Sequence, residues 1–237
     1  MPEQVPRRPV FIVGLSRTGT TITRAVLNTS PLVGIGGESL FLPGRSLLGL
    51  KVRKAYRDKF RRIGDLNTDE GISRIAAYVY SQTTSKYWMR LAGTLDKEEF
   101  EARLRASDRT DRDLLDIAMS HFAAGRPIRG DKSPQHIHSV PLLLEWYPEA
   151  KVIHTFRDPR AVYLSTQRKA ASRVQAPAGR RLGRMVSAVA GAYSATSVIF
   201  SWRAAIRLHR IYEARFPEQY MLVRYEDLVS DPAAAAR

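Results

Sequence analysis

Short apolar and β-branched runs recur along the chain, with helical periodicity in the intervals between them. Val10-Phe11-Ile12-Val13, Leu32-Val33-Gly34-Ile35, Lys151 to Phe156 and Tyr220 to Val223 have strand length and content, and Ile128-Arg129-Gly130 is a shorter fifth candidate after Pro127. Ile22, Ala25 and Val26 start a helical pattern after the first run. Ile72, Ile75, Ala76, Val79 and Tyr80 share one face of Asp69 to Gln82, behind the capping candidates Asn67 and Thr68. Lys97 to Arg105 and Asp111 to Ala124 read as further helices, the latter stopped by Gly125 and Pro127. Leu142, Leu143, Trp146 and Tyr147 form the buried side of another, and a long helix is expected from Met185 to Phe216. Leu48, Val52, Tyr56 and Phe60 recur every four residues, which predicts a basic amphipathic helix over Arg45 to Arg62. Ser172 to Arg184, with Pro177, Gly179 and Gly183, reads as a basic loop. Strands alternating with helices imply right-handed parallel crossovers. The fold class expected is α/β: a three-layer αβα architecture with a central, mostly parallel sheet.

Composition narrows this reading only in places. A chain of 237 residues with 44% hydrophobic and 26% charged positions suits one α/β domain spanning 1–237. The uncharged stretch Met185 to Trp202 is interrupted by serines and Gly191, so it predicts a buried helix and not a membrane span. Pro2 to Pro9 is polar and basic, with no apolar segment of signal length, and a cytoplasmic location is expected. The chain has no cysteine, which removes disulfides, thiolate metal sites and thiol nucleophiles. A formal charge of +15 points to an anionic partner.

The sharpest chemical signal is Gly14-Leu15-Ser16-Arg17-Thr18-Gly19-Thr20-Thr21, set between the first strand and the first helix. Glycines at its first and sixth positions let backbone N–H groups turn inward, and the helix N-terminus adds partial positive charge, so the loop is built to hold an anion. The spacing is that of a nucleotide P-loop, except that Thr20 stands where the lysine belongs. That exchange argues against ATP hydrolysis and for an anion held by backbone, hydroxyls and Arg17. Glu38 follows the second strand, where open α/β sheets place ligands. Asp131-Lys132-Ser133-Pro134 ends the Ile128 strand, and Arg157-Asp158-Pro159-Arg160 ends the Lys151 strand. Ser165 follows on the next helix, and Arg157 and Ser165 are spaced to clamp one phosphate; an Arg157–Asp158 capping ion pair is the plainer alternative.

Together these segments, with Arg224-Tyr225-Glu226-Asp227-Leu228 and Asp231-Pro232, resemble in order the sulfotransferase family that uses 3′-phosphoadenylyl sulfate. The loop is similar to the arginine-containing 5′-phosphosulfate loop of the Golgi tyrosylprotein and carbohydrate enzymes. Phe156 to Arg160 with Ser165 is similar to the family's 3′-phosphate segment. The resemblance covers about Pro9 to Pro232 and implies the P-loop NTPase-like sulfotransferase fold.

What the resemblance implies about the site is specific. Arg17, Thr18, Gly19, Thr20 and Thr21 would hold the 5′-phosphosulfate, Arg157 and Ser165 the 3′-phosphate, and Tyr225 would lie near the adenine. Glu38 would be the catalytic base, and Lys132 with Arg17 would stabilise the transferring sulfuryl group. The co-substrate implied is 3′-phosphoadenylyl sulfate, with no metal. The acceptor implied is a hydroxyl on a glycan, glycolipid, tyrosine or small metabolite, and it can be anionic. His136 and His138 are rival bases, although Pro134 occupies the position of the cytosolic enzymes' histidine, and a helix-surface or capping role suits both better. The tyrosylprotein enzymes carry an arginine two residues past the base; Leu40 stands there, against an acidic peptide acceptor. The family continues into a basic, glycine-containing loop past its last strand motif, whereas this sequence ends at Arg237. Either Lys169 and Arg180-Arg181 take over that role or the sequence is a fragment of the domain.

Two other classes remain as alternatives. A P-loop kinase would need the lysine that Thr20 replaces. A basic module binding nucleic acid or an anionic membrane would rest on the net charge and on Arg45 to Arg62. The ordered motifs favour the enzyme: no nucleic-acid partner is expected, and peripheral membrane contact stays open.

Overall fold

The computed structural model describes residues 8–45, 51–53, 55–81, 83–171 and 180–231. Its centre is a five-stranded sheet made of β1 (Val10–Gly14), β2 (Val33–Ile35), β5 (Ile128–Lys132), β6 (Lys151–Phe156) and β7 (Tyr220–Arg224), in the order β2-β5-β1-β6-β7. Every pairing in it is parallel. Side chains alternate across β1 as the period of two demands. Phe11 and Val13 enter the main core, while Ile12 packs with Val33, Ile35 and Leu27 of α1 (Thr20–Leu27) on the opposite face. The sheet is thus flanked by helices, as the alternation of strands and helices predicts.

The chain leaves β1 toward β2 on one side and later fills β6 and β7 on the other. β1 therefore sits where the strand order reverses, the place at which open α/β sheets form a crevice at their carboxyl ends. The β5 end sets Lys132 behind that crevice, the β6 end brings Arg157 to it, and the β1 end supplies the glycine loop.

Between β2 and β5 the chain forms a helical layer: α2 (Tyr56–Ile63), α3 (Asp69–Val79), α4 (Lys86–Ala92), α5 (Lys97–Arg105) and α6 (Asp111–Ala123). Its interior is aromatic. Phe41, Tyr56, Phe60 and Trp88 contact one another with ring centroids 5.1 to 6.3 Å apart. Thr68 caps α3, Asp96 caps α5, and Thr110 forms a capping box with Asp113 at α6. At the end of α6, Ala124 and Gly125 both take positive φ, 51° and 82°, which stops the helix as expected.

Three expectations are corrected. Arg45 to Arg62 is not one helix: a short antiparallel pair, β3 (Gly44–Arg45) with β4 (Lys51–Arg53), precedes α2. Ala55 is extended there, and the first N–H groups of α2 reach back to Leu40 O and Phe41 O, so packing on that segment overrides the four-residue periodicity. Leu48 and Lys54 lie outside the described residues. The Ser172 to Arg184 loop is also shorter than expected, because α9 (Arg180–Arg215) already begins at Arg180, while 172–179 lie outside the described residues. Finally, Ile199 and Phe200 of α9 are half-exposed, so the described part of Met185 to Trp202 is not fully buried. Among the described side chains of α9, Ala205 and Tyr212 are buried in the main core, with Leu208 and the following Phe216 packed against it. No helix among the described residues is long and apolar enough to cross a membrane.

The remaining elements deliver the last site residues. A 3₁₀ turn (Pro134–Ser139) and α7 (Val140–Trp146) connect β5 to β6. After β6, α8 (Pro159–Ala171) carries Ser165, and α10 (Tyr225–Ser230) begins where β7 ends.

Candidate active site

The glycine loop is fixed by close approaches that only glycine allows. Gly14 has φ 146°, and a Cβ there would lie 2.5 Å from Thr155 O on β6. Gly19 has φ 100° as the residue before α1, and its Cβ would lie 2.5 Å from the Tyr225 ring. Arg17 between them takes φ 76°, an uncommon conformation for a residue with a side chain. Thr18 braces the bend: its hydroxyl donates to Leu15 O at 2.8 Å and lies 2.9 Å from Thr155 Oγ1. With 1% exposure, that side chain is directed into the loop's own support and not to the crevice.

Lys132 is the cation nearest the acid. Its Nζ is 2.6 Å from Glu38 Oε1 and 3.4 Å from Thr21 Oγ1, and its side chain is almost wholly buried while that of Glu38 is half-exposed. The segment carrying Glu38 is held by the end of β5. Asp131 Oδ1 accepts from Ser39 N–H at 3.1 Å, and Ser133 Oγ accepts from Leu40 N–H at 3.1 Å. His136 continues this stitching, since its Nε2 accepts the Leu42 N–H at 3.0 Å. That bond puts the ring proton on Nδ1, which lies 3.1 Å from Asp131 Oδ2. Both side chains are fully buried, so His136 is neither a helix-surface group nor a base facing the crevice.

At the β6 end, Arg157 lies over the Tyr225 ring, its guanidinium carbon 3.9 Å from the ring centroid. Its Nη1 donates to Arg17 O at 3.3 Å, and its own carbonyl accepts from Trp202 Nε1 at 3.1 Å. Arg17 Nε donates in turn to Ser165 Oγ at 2.9 Å, tying the loop to α8. The alternative of an Arg157–Asp158 ion pair does not hold, because the partner of Asp158 is Arg160, at 2.6 Å. Hydrogen bonds from the Arg160 side chain and backbone bring the Asp158 carboxyl down to about 2. Glu226 of α10 accepts the Asp158 N–H at 3.0 Å, which fixes the turn into α8 and leaves Arg157 to face the loop.

These groups line one cleft of about 530 Å³ at the sheet's carboxyl edge. Of the residues singled out from the sequence, Arg17, Gly19, Thr20, Thr21, Glu38, Arg157, Ser165 and Tyr225 line it, together with Lys169. Lys132 stands behind Glu38 and Thr21, and Thr18 is set back inside the loop. Sequence reasoning missed Thr155 and Trp202, which support the loop and Arg157. Neither belongs to a spaced motif, and only the parallel register of β1 with β6, pairing Gly14 with Thr155, brings Thr155 to the loop. Among the described residues, no three His, Cys, Asp or Glu side chains are grouped to hold a metal ion.

Comparison with known proteins agrees with this architecture. The model of the sulfotransferase family matches residues 9–237. Over 108 residues the chain is 32% identical to the omega-hydroxy-beta-dihydromenaquinone-9 sulfotransferase Stf3 of Mycobacterium tuberculosis and of Mycobacterium bovis, a match covering 45% of this chain. It spans about a quarter (26%) of the length of those relatives. An uncharacterized protein of Aquifex aeolicus is 27% identical over 161 residues, which cover 67% of this chain and 17% of that protein. Among solved structures, the sulfotransferase domain of the Synechococcus PCC 7002 olefin synthase superposes with a TM-score of 0.54 at 20% identity, covering 99% of this chain and 72% of that one. A sulfotransferase from Alicyclobacillus acidocaldarius gives 0.50 at 17% identity, covering 98% and 78%. These two likenesses speak to the fold, and the family match extends over the loop and the three strand ends that form the cleft. The chain belongs to the sulfotransferase family.

Proposed function

We propose that this chain is a sulfotransferase domain that moves the sulfuryl group of 3′-phosphoadenylyl sulfate to a hydroxyl acceptor. The observation that carries the reading is that one cleft joins Glu38, paired with Lys132, to the glycine loop and to Arg157 and Ser165. Each end of the donor has a counterpart. The loop N–H groups, Thr20 and Thr21 suit the 5′-phosphosulfate. Arg157, whose Nε is buried without a hydrogen-bond partner among the described residues, suits the 3′-phosphate together with Ser165. Tyr225, with the Arg157 guanidinium over its ring, offers an aromatic group to the adenine.

In the step proposed, the acceptor oxygen attacks sulfur in line, and the bond from sulfur to the 5′-phosphate oxygen breaks. The acceptor proton passes to the Glu38 carboxylate, and adenosine 3′,5′-bisphosphate leaves. Lys132 and Arg17 stabilise charge on the bridging and sulfuryl oxygens. The acceptor is a hydroxyl on a glycan, lipid, tyrosine or small metabolite. The name of the mycobacterial relative specifies an omega-hydroxy-beta-dihydromenaquinone-9, which supports a hydroxyl acceptor of that kind.

Isothermal titration of the chain with adenosine 3′,5′-bisphosphate and with 5′-AMP tests the donor assignment. The bisphosphate is expected to bind about 10- to 100-fold more tightly, the worth of one charge-assisted phosphate clamp. Equal, weak heats from both would reject it.

A further inference from the structure

A second cleft opens on the other side of Glu38. It measures about 420 Å³, and Glu38 lines both. Its walls are apolar: Leu40, Tyr87 of α4 and Phe122 of α6, the two rings packed edge to face with centroids 4.6 Å apart. Tyr87 rests on the turn before Glu38, so close that a Cβ on Gly36 would sit 3.0 Å from its ring. Two cations of α4, Lys86 and Arg90, complete the lining, and the Arg90 guanidinium lies 5.6 Å from the Phe122 ring centroid. Neither has an acidic partner among the described residues, and Glu38 is the one acid among the lining residues described. A volume of this size with aromatic walls and a few charged groups is that of a small-ligand site.

Resting on the sulfotransfer reading, we infer that this cleft holds the acceptor, and that the acceptor is a hydroxyl compound with an apolar body and an anionic group at its far end. The hydroxyl meets Glu38, the body lies along Leu40, Tyr87 and Phe122, and the anion is held by Lys86 and Arg90. Leu40 then has a function of its own: it presents an apolar wall directly beyond the base, where a cation would draw the anionic end toward the reacting hydroxyl. Lys86 and Arg90 act as specificity-determining residues that do not touch the reacting atoms.

The test uses ω-hydroxydodecanoate and its methyl ester as acceptors, with wild type, the double variant Lys86→Glu/Arg90→Glu, and Arg90→Lys. Wild type is expected to prefer the free acid in kcat/KM by about tenfold, the worth of a partly exposed charge-assisted contact. The double variant is expected to lose that preference and Arg90→Lys to retain most of it. A wild type without acid preference, or a double variant that keeps it, overturns the inference. Titration of the acid into the chain saturated with adenosine 3′,5′-bisphosphate separates this result from the donor assignment. Acid binding that the double variant loses, with no sulfuryl transfer, keeps the cleft and rejects the reaction; transfer to the ester and the acid alike keeps the reaction and rejects the cleft's anion site.

Discussion

The two walls that meet at Glu38 are made of different materials. On the donor side, backbone turns and short hydroxyls are anchored at the carboxyl ends of parallel strands, with cations from β5 and β6 behind them. On the other side, aromatic rings on α4 and α6 form an apolar wall edged by two exposed cations. A phosphosulfate has fixed shape and charge, which suits a rigid frame of N–H groups held by glycine contacts. The α4 cleft is walled by side chains on helices, which can change without disturbing the sheet. The division explains why the loop side is carried by motifs and the other side by tertiary packing.

On the donor side, the largest effect is expected at Lys132. Lys132→Ala is expected to lower sulfuryl transfer by about 100- to 1,000-fold, because it removes the cation between Glu38 and Thr21. A loss of that size in kcat with intact bisphosphate binding assigns Lys132 to the transition state; a loss confined to donor affinity makes it a binding group. Arg157→Ala comes next, and should reduce bisphosphate affinity by about 10- to 100-fold while leaving 5′-AMP affinity nearly unchanged. Parallel losses for both ligands in calorimetry would mean that the variant has disturbed the loop through Arg17.

A smaller effect separates conformational strain from close packing. Gly19→Ala and Gly125→Ala both force a side chain into the left-handed region, at φ 100° and 82°, a cost of about 1–2 kcal/mol. Gly19 also meets the Tyr225 ring, whereas a Cβ on Gly125 has nothing within 4 Å. Urea unfolding is therefore expected to find Gly19→Ala the more destabilised of the two, and only Gly19→Ala should weaken bisphosphate binding. Equal losses would show that Tyr225 yields freely.

A separate effect, on stability alone, lies behind the donor wall, on β6. His154 is fully buried beside Tyr220 and His209, and burial, with a minor contribution from His209, lowers it from 6.5 to about 3. Because the folded chain keeps this ring neutral while the unfolded chain takes up a proton below pH 6.5, stability is full above 6.5 and falls as pH drops toward 3. The loss is progressive across that range. His154→Gln should flatten that part of the stability curve. An unchanged slope would place the acid sensitivity in another group.

How much of this was legible in the sequence follows the same division. The strands of the sheet could be read because buried parallel strands are apolar or β-branched runs, and the glycine loop because its two glycines are spaced by geometry. Glu38, Lys132 and Arg157 could be placed because each lies at or within three residues of a strand's carboxyl end. The α4 cleft was not legible. Lys86–Ala92 is too short to show periodicity, and Tyr87 and Phe122 are brought together by tertiary packing across 35 residues of chain. Arg45 to Arg62 misled for a related reason: Tyr56 and Phe60 keep helical spacing within α2, but Lys51–Arg53 pairs as a strand before it, so the periodicity does not extend over the whole stretch. His136 could not be assigned from spacing, since its burial depends on a backbone N–H from Leu42, far away in sequence.

The central claim is that Glu38 is the base shared by both clefts. Single-turnover transfer from radiolabelled 3′-phosphoadenylyl sulfate, measured for wild type and Glu38→Gln alongside bisphosphate titration, tests it most directly. Glu38→Gln is expected to lose transfer by about 100- to 10,000-fold, with bisphosphate affinity changed by less than about threefold. Wild-type transfer by Glu38→Gln would contradict it.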